Sequence, residues 1–160
     1  MYKHTLCFIK KKDKILMLNR KYSPLKGLWN GVGGKIDEGE TETQCVIREV
    51  KEETEIDVSI EQIKYKGIIT YEFDNSFKGG IHIYLVDIPN EYEYLTPKTT
   101  DEGILDWKEI TWLLSEDNYG VDVMIPRLLP TLIIDPNEYQ HNFVIENNDI
   151  KEYTLNKIVN

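Results

Sequence analysis

The stretch from Gly33 to Ile56, GGKIDEGETETQCVIREVKEETEI, constrains this chain more than any other. It opens on paired glycines, and residues without a Cβ let a backbone turn sharply and approach a neighbour closely. Thr41 then stands where a helix N-cap belongs. Gln44, three residues on, completes a T-x-x-Q capping box that satisfies otherwise orphaned backbone donors. The residue types predict an α-helix from there to about Thr54. Residues three and four apart share a helix face. Val46, Ile47, Val50 and Thr54 therefore form a packing side, and Glu49, Glu52 and Glu53 form an acidic side next to it. Glu49 and Glu53, at i and i+4, repel by roughly 0.2–0.5 kcal/mol in an isolated helix. A bound cation would remove that repulsion, and carboxylates are hard oxygen donors suited to Mg²⁺ or Mn²⁺. Taken by itself, such a helix more commonly turns its acidic side to solvent.

The loop before the helix changes that balance. Gly34, Glu40 and the run Arg48-Glu49-Val50-Lys51-Glu52-Glu53 fall at the spacing G-x5-E-x7-R-E-U-x-E-E-x-G-U, where U is aliphatic. This set resembles the signature of the Nudix hydrolases, and so many fixed positions make it far more specific than a lone glycine motif. The one departure is Glu55, which stands where the pattern has Gly, with Ile56 supplying the aliphatic residue after it. A residue with a Cβ costs about 1 kcal/mol in the left-handed turn that ends many helices. The departure therefore bears on the helix exit and not on the carboxylates.

The resemblance implies an α+β fold, an α/β/α sandwich with a mixed β-sheet, and Mg²⁺-dependent hydrolysis of a phosphoanhydride, with Mn²⁺ as a substitute. It implies that Glu49, Glu52 and Glu53 surround the metal, with the carbonyl of Gly33 as an additional ligand, and that Arg48 orients a glutamate, for which its i+4 relation to Glu52 is geometrically suited. The resemblance leaves the proton acceptor open, with Glu49 as first choice and Glu102 as second. Glu102 lies in a polar loop like the one from which relatives supply a further metal-linked carboxylate, and a solvated loop acid is the equal alternative there.

A narrower resemblance, to MutT-type enzymes that hydrolyse oxidised purine nucleoside triphosphates such as 8-oxo-dGTP, is carried by Trp29-Asn30-Gly31-Val32-Gly33-Gly34-Lys35. It implies that Asn30 recognises the base, since an amide both donates to and accepts from a purine edge. Lys35 and Arg20 are candidate phosphate contacts, with a solvated basic rim as the alternative. Tyr71, Tyr119 and Asp122 are candidates for the base pocket, although aromatics in such positions more often pack in a core. The expected reaction is pyrophosphohydrolysis of a nucleoside triphosphate, with attack at the β-phosphorus, to a monophosphate and pyrophosphate. The alternatives are hydrolysis of another nucleoside diphosphate derivative, such as a nucleotide sugar or dinucleotide, and a noncatalytic nucleotide-binding module.

Composition, 41% hydrophobic and 29% charged, is ordinary for a soluble globular protein. The 160 residues suit a single domain, 1–160, with a sizeable core. A net charge of −9 argues against nucleic-acid polymers, which reward basic patches, but not against small nucleotides held through divalent cations. Cys7 and Cys45 lack metal-site spacing and suggest packing, not a disulfide scaffold, and His4, His82 and His141 have no ligand-like spacing. No apolar run reaches membrane length and the first residues do not read as a signal peptide, so a cytoplasmic protein is expected. Nothing in the sequence signals an oligomeric state.

Around the motif, alternation predicts strands over Tyr2–Ile9 and Lys14–Leu18 about a Lys11-Lys12-Asp13 turn. It also predicts two long strands, Ile63–Phe73 and Gly80–Ile88, joined by a turn over Asp74–Gly80. Thr99 to Glu102 read as a polar loop before a short strand at Ile104–Lys108, and Thr111–Leu114 as a helical turn. Val123–Ile133 has helical spacing with Pro126 near its first turn and Pro130 placed to end or kink it. Tyr139–Leu155 reads as a final hairpin about Asn147-Asn148-Asp149.

Overall fold

The structure, a computed structural model, describes residues 2–160. Its elements are β1 (Thr5–Lys11), β2 (Lys14–Arg20), β3 (Trp29–Asn30), α1 (Glu42–Thr54), β4 (Ile63–Phe73), β5 (Phe77–Asp87), β6 (Lys98–Thr100), β7 (Gly103–Glu109), α2 (Ile110–Leu113), α3 (Ile125–Ile134), β8 (Tyr139–Glu146) and β9 (Asp149–Lys157). The strands form one sheet in the order β6-β7-β2-β1-β5-β4-β8-β9, with β3 added against β2. β1 runs parallel to β5 and β4 parallel to β8, while β1–β2, β4–β5 and β8–β9 are antiparallel, so the sheet is mixed as expected.

The layering follows from side-chain alternation. Successive strand residues face opposite sides of a sheet, and the central strands are apolar on both. Leu6 and Phe8 of β1, Ile15 and Met17 of β2, and Ile83 and Leu85 of β5 share one core with Ile125, Leu128, Leu129 and Leu132 of α3. Cys7 and Ile9, Leu16 and Leu18, and Tyr84 and Val86, from the same strands, share the other with Val46 and Val50 of α1. Thr5 to Ile9 are consequently all buried, whereas β8 alternates and β9 is mostly exposed. The result is the α/β/α sandwich, with α1 and α3 on opposite faces. No helix among the described residues is long and apolar enough to cross a membrane.

Several boundaries differ from the sequence reading. β1 begins at Thr5 and not at Tyr2, and the turn after β4 is confined to Asp74–Ser76, so β5 begins at Phe77. Asp74 and Asn75 both take positive φ and the Ser76 N–H donates to the Phe73 carbonyl, a tight turn of the primed kind that matches strand twist. Gly79 and Gly80 serve close approach instead, because a Cβ on Gly79 would stand 2.4 Å from the Tyr71 hydroxyl and one on Gly80 2.5 Å from the Tyr2 ring. Part of the expected polar loop, Thr99 and Thr100, is strand β6. Pro130 does not end α3, which continues to Ile134 with Pro130 on its exposed side. The final hairpin forms as read, with Asn147 and Asn148 at positive φ.

The β4–β8 pairing depends on one glycine. Gly67 sits at a register shift with φ of +117°, and a Cβ there would lie 1.9 Å from the Tyr139 carbonyl oxygen. Gly67→Ala is expected to cost about 2–4 kcal/mol of unfolding free energy in urea titration. Gly39→Ala, at φ +80° with open space around it, should cost only about 1 kcal/mol.

Candidate active site

The N-terminus of α1 forms as the sequence predicts. The Thr41 hydroxyl accepts from the Gln44 N–H at 3.1 Å, and the Gln44 side chain accepts from the Thr41 N–H at 2.9 Å. At the other end Glu55 takes the left-handed conformation itself, φ 67° and ψ 7°, and its N–H donates to the Lys51 carbonyl. The helix therefore exits as it would with Gly, at the steric cost of the Cβ.

Arg48 ties this helix to the glycine loop. Its Nε and Nη2 donate to the two Glu40 oxygens at 2.8 and 2.9 Å, Nη1 donates to Glu49 at 2.7 Å, and Nη2 also reaches the Lys35 carbonyl at 3.0 Å. The contact to Glu52 is longer, at 3.4 Å. The main partners are thus Glu40 and Glu49, not the i+4 glutamate that spacing favoured. The Arg48 guanidinium, helped by the Asp37 backbone N–H, holds the Glu40 carboxyl down at about 2. Glu40 is part of the motif, but sequence reasoning gave it no task; its fixed place upstream of an arginine was the available signal.

The glycines hold the loop against the carboxylates. A Cβ on Gly33 would lie 2.1 Å from the Thr5 carbonyl oxygen of β1, and one on Gly34 would lie 2.3 Å from a Glu49 carboxylate oxygen. The Gly33 N–H donates to Glu53 at 3.2 Å. Burial, then the neighbouring Glu49 carboxylate, pushes the Glu53 carboxyl up to about 8, and burial also raises Glu49. Glu49, Glu52 and Glu53 face Thr99, Thr100, Asp101 and Glu102 across a cleft of about 400 Å³, with Glu55 and Lys98 at the same wall. Glu102 is close enough to add to the Glu53 shift, and Arg20 close enough to oppose it.

Such a cleft is short of positive charge. Among the described residues no three His, Cys, Asp or Glu side chains already converge as a ligand cage, and Arg48 holds Glu49. The donor set nevertheless fits a hard divalent cation, since oxygen ligands line one cleft and two are driven toward protonation by burial, with mutual repulsion adding to Glu53.

The remaining candidates separate. Asn30 is buried, donates to Asp122 Oδ2 at 3.4 Å and accepts from the Gly31 N–H at 2.8 Å. Burial raises the Asp122 carboxyl, which accepts from the Met124 N–H. These two meet because residues 120–122 pair with Trp29 through backbone hydrogen bonds. Tyr119 lies in the same segment but is 81% exposed. Tyr71 instead stacks on Phe77, with ring centroids 5.9 Å apart, and packs at the α3-side core. Arg20 donates to the Pro24 carbonyl at 2.7 Å, and Lys35 is exposed.

A family profile described as the NUDIX domain matches residues 3–127. The chain belongs to the Nudix family. It is 32% identical over 111 residues to "Uncharacterized Nudix hydrolase YvcI" of Bacillus subtilis, a match covering 66% of this chain and 65%, just under two thirds, of that relative. It is 29% identical over 129 residues to the mouse "Oxidized purine nucleoside triphosphate hydrolase", covering 78% of this chain and 80% of that protein. Among solved structures, a MutT protein from Bacillus halodurans superposes with a TM-score of 0.78 over 98% of both chains at 24% identity, which establishes the shared fold.

In this Nudix site the Glu53 shift has a thermodynamic consequence. With a folded pKa of about 8 against an ordinary 4.5, the folded metal-free protein keeps a proton that the unfolded chain has lost. Stability from this group is therefore lost as pH rises from about 4.5 to about 8. Metal-free Glu53→Gln should show a smaller fall in Tm between pH 5 and pH 8 than the wild type, measured by calorimetry.

Proposed function

We propose that this Nudix protein is a Mg²⁺-dependent nucleoside triphosphate pyrophosphohydrolase acting on oxidised purine nucleotides such as 8-oxo-dGTP. It would release the monophosphate and pyrophosphate by water attack at the β-phosphorus. The observation that supports the reading is that Glu49, Glu52 and Glu53 line one cleft, with the Gly33–Gly34 loop against Glu49 and Glu53 and these two disfavoured as bare anions. The relative that acts on oxidised purine triphosphates, matched along most of both chains, supports the substrate class.

Glu49, Glu52 and Glu53 would hold the metal, with the Gly33 carbonyl as an additional ligand and Glu102 approaching from across the cleft. When bound, a divalent cation neutralises phosphoryl oxygens and makes a bound water more acidic. Arg48 fixes Glu49 through a 2.7 Å hydrogen bond and braces it on Glu40. Glu49 is then a positioned carboxylate, and it is assigned as the proton acceptor because burial raises its affinity for a proton. Glu102, exposed on the facing turn, is the second choice.

The base end is assigned to Asn30 and Asp122. Both are buried and adjacent, a carboxyl that burial keeps basic and an amide with donor and acceptor atoms. Together they offer a purine edge a mixed hydrogen-bonding pair. Arg20, within electrostatic reach of Glu53, is the phosphate contact, while Lys35 and Tyr119 are solvent-facing contributors. Tyr71 serves packing first.

kcat/KM measured over a panel of triphosphates, nucleotide sugars and dinucleotides with Mg²⁺ should be highest for an oxidised purine triphosphate. Glu53→Gln should lower kcat by about 10²–10⁴-fold with the fold intact. Unchanged turnover of every substrate would remove the catalytic assignment. Asn30→Ala should reduce the preference for the oxidised over the ordinary purine while leaving other triphosphates largely unaffected.

A further inference from the structure

The position where this chain departs from its family pattern lies on the wall of the acidic cleft. Glu55 follows Glu52 and Glu53 at the end of α1, and its carboxylate is paired with the Lys98 ammonium of β6. Glu49, Glu52, Glu53, Glu55, Asp101 and Glu102 line the cleft, and Lys98 is the lone basic side chain lining it among the described residues. The lysine is also well placed. Its Nζ stands 5.3 Å from the Tyr94 ring centroid. That ring is fixed by its hydroxyl donating to the Thr54 carbonyl at 2.7 Å and by Trp107 Nε1 donating to the Tyr94 carbonyl at 3.1 Å. Lys98 therefore rests on an aromatic platform anchored to the same helix end that carries Glu55.

We propose that Lys98 is a phosphate contact held in reserve by Glu55, and that the pair selects substrates with a terminal phosphate over diphosphates substituted at both ends. This rests on the reading that the cleft binds a polyphosphate. An exposed ion pair is weak, because water screens it and two long side chains must be held still. A more highly charged oxyanion at the cleft can therefore draw Lys98 away from Glu55. A terminal phosphate carries about −1.5 to −2 charge near pH 7, whereas a phosphate esterified or bridged on both sides carries a single negative charge. The first competes with a carboxylate for an ammonium and the second only matches it. With Gly at position 55 the lysine would be open to either. Glu55 thus makes the engagement of Lys98 conditional on substrate charge, and the charged pair has a use that the ordinary helix-ending glycine lacks.

The test is a double-mutant cycle on the full chain with Mg²⁺, using wild type, Glu55→Gln, Lys98→Met and the double variant. kcat/KM is measured for a purine nucleoside triphosphate and for a nucleoside diphosphate sugar. Lys98→Met is expected to lower kcat/KM for the triphosphate about ten-fold, through KM, and to leave the capped diphosphate within about two-fold. Lys98→Arg should restore most of the loss. Glu55→Gln should improve KM for both substrates, more for the capped diphosphate, and this effect should disappear on Lys98→Met. Loss of both substrates alike on Lys98→Met, or a Glu55→Gln effect that persists without Lys98, would overturn the inference. Affinities of the same four proteins for a non-hydrolysable triphosphate and a capped diphosphate, by calorimetry, keep the two readings separable. If the wild type turns over neither substrate, the catalytic reading falls, and the coupling between Glu55 and Lys98 in binding still decides the selectivity.

Discussion

Arg48 holds together two segments that charge alone would push apart. The glycine loop ends at Glu40, the helix face carries Glu49 and Glu52, and the guanidinium lies between them with hydrogen bonds to all three. Arginine suits this place because its planar fork satisfies one carboxylate with two parallel bonds and still has donors for others. The half-buried position strengthens these bonds relative to a surface pair. It also makes them hard to replace with lysine, whose ammonium cannot span the same acceptors. The loop register follows from that anchor. Once Glu40 and the Lys35 carbonyl are fixed on Arg48, Gly33 and Gly34 are pressed between β1 and the Glu49 and Glu53 carboxylates. The acidic cleft is then set by backbone as much as by side chains.

The parts of the fold that local chemistry dictates were legible in the chain. The Thr41 capping box, the apolar side of α1 and the Asn147-Asn148 turn each depend on residues within a few positions of one another. Elements set by distant partners were not legible. β3 is a strand only because Trp29 and Asn30 meet β2 on one side and residues 120–122 meet Trp29 on the other. Thr99 and Thr100 extend only because β7 folds back on them. Gly79 and Gly80 look like turn residues in the sequence, yet the aromatic rings lying over them explain their size. Pro130 has an equally clear breaking signal. It is overridden because its ring faces outward while Leu128, Leu129 and Leu132 stay buried against the sheet, and packing outweighs one lost backbone bond.

The site shows the same division. Spacing along α1 was enough to collect Glu49, Glu52 and Glu53, because an α-helix converts sequence separation directly into a shared side. It was not enough to choose the partner of Arg48. Spacing pointed to Glu52, but Glu40 arrives through the loop and takes two hydrogen bonds. Asn30 and Asp122 were each singled out, and their meeting depends on chain pairing far apart in sequence. Tyr71 shows the opposite outcome, since its aromatic neighbours Phe73 and Phe77 on the same hairpin draw it into a packing group.

Opposing demands meet at Glu53. The burial that makes it a strong oxygen donor toward a cation also makes the bare carboxylate unfavourable, so the metal-free fold keeps a proton there over a range in which the unfolded chain gives it up. A hydrogen bond from the Gly33 N–H partly compensates the charge, but one amide cannot replace the hydration that burial removes. A cation in the cleft would offset that cost and would do so only for the folded chain, which has the carboxylates side by side. Cation binding and folding would then be linked in this cleft, with the cost of the bare Glu53 carboxylate as the physical form of that linkage. By the same reasoning the carboxylates further out, Glu55 and Glu102, are exposed and keep their contact with water. They are placed to respond to the charge of an incoming molecule, as the half-buried Glu49 and Glu53 would respond to a metal.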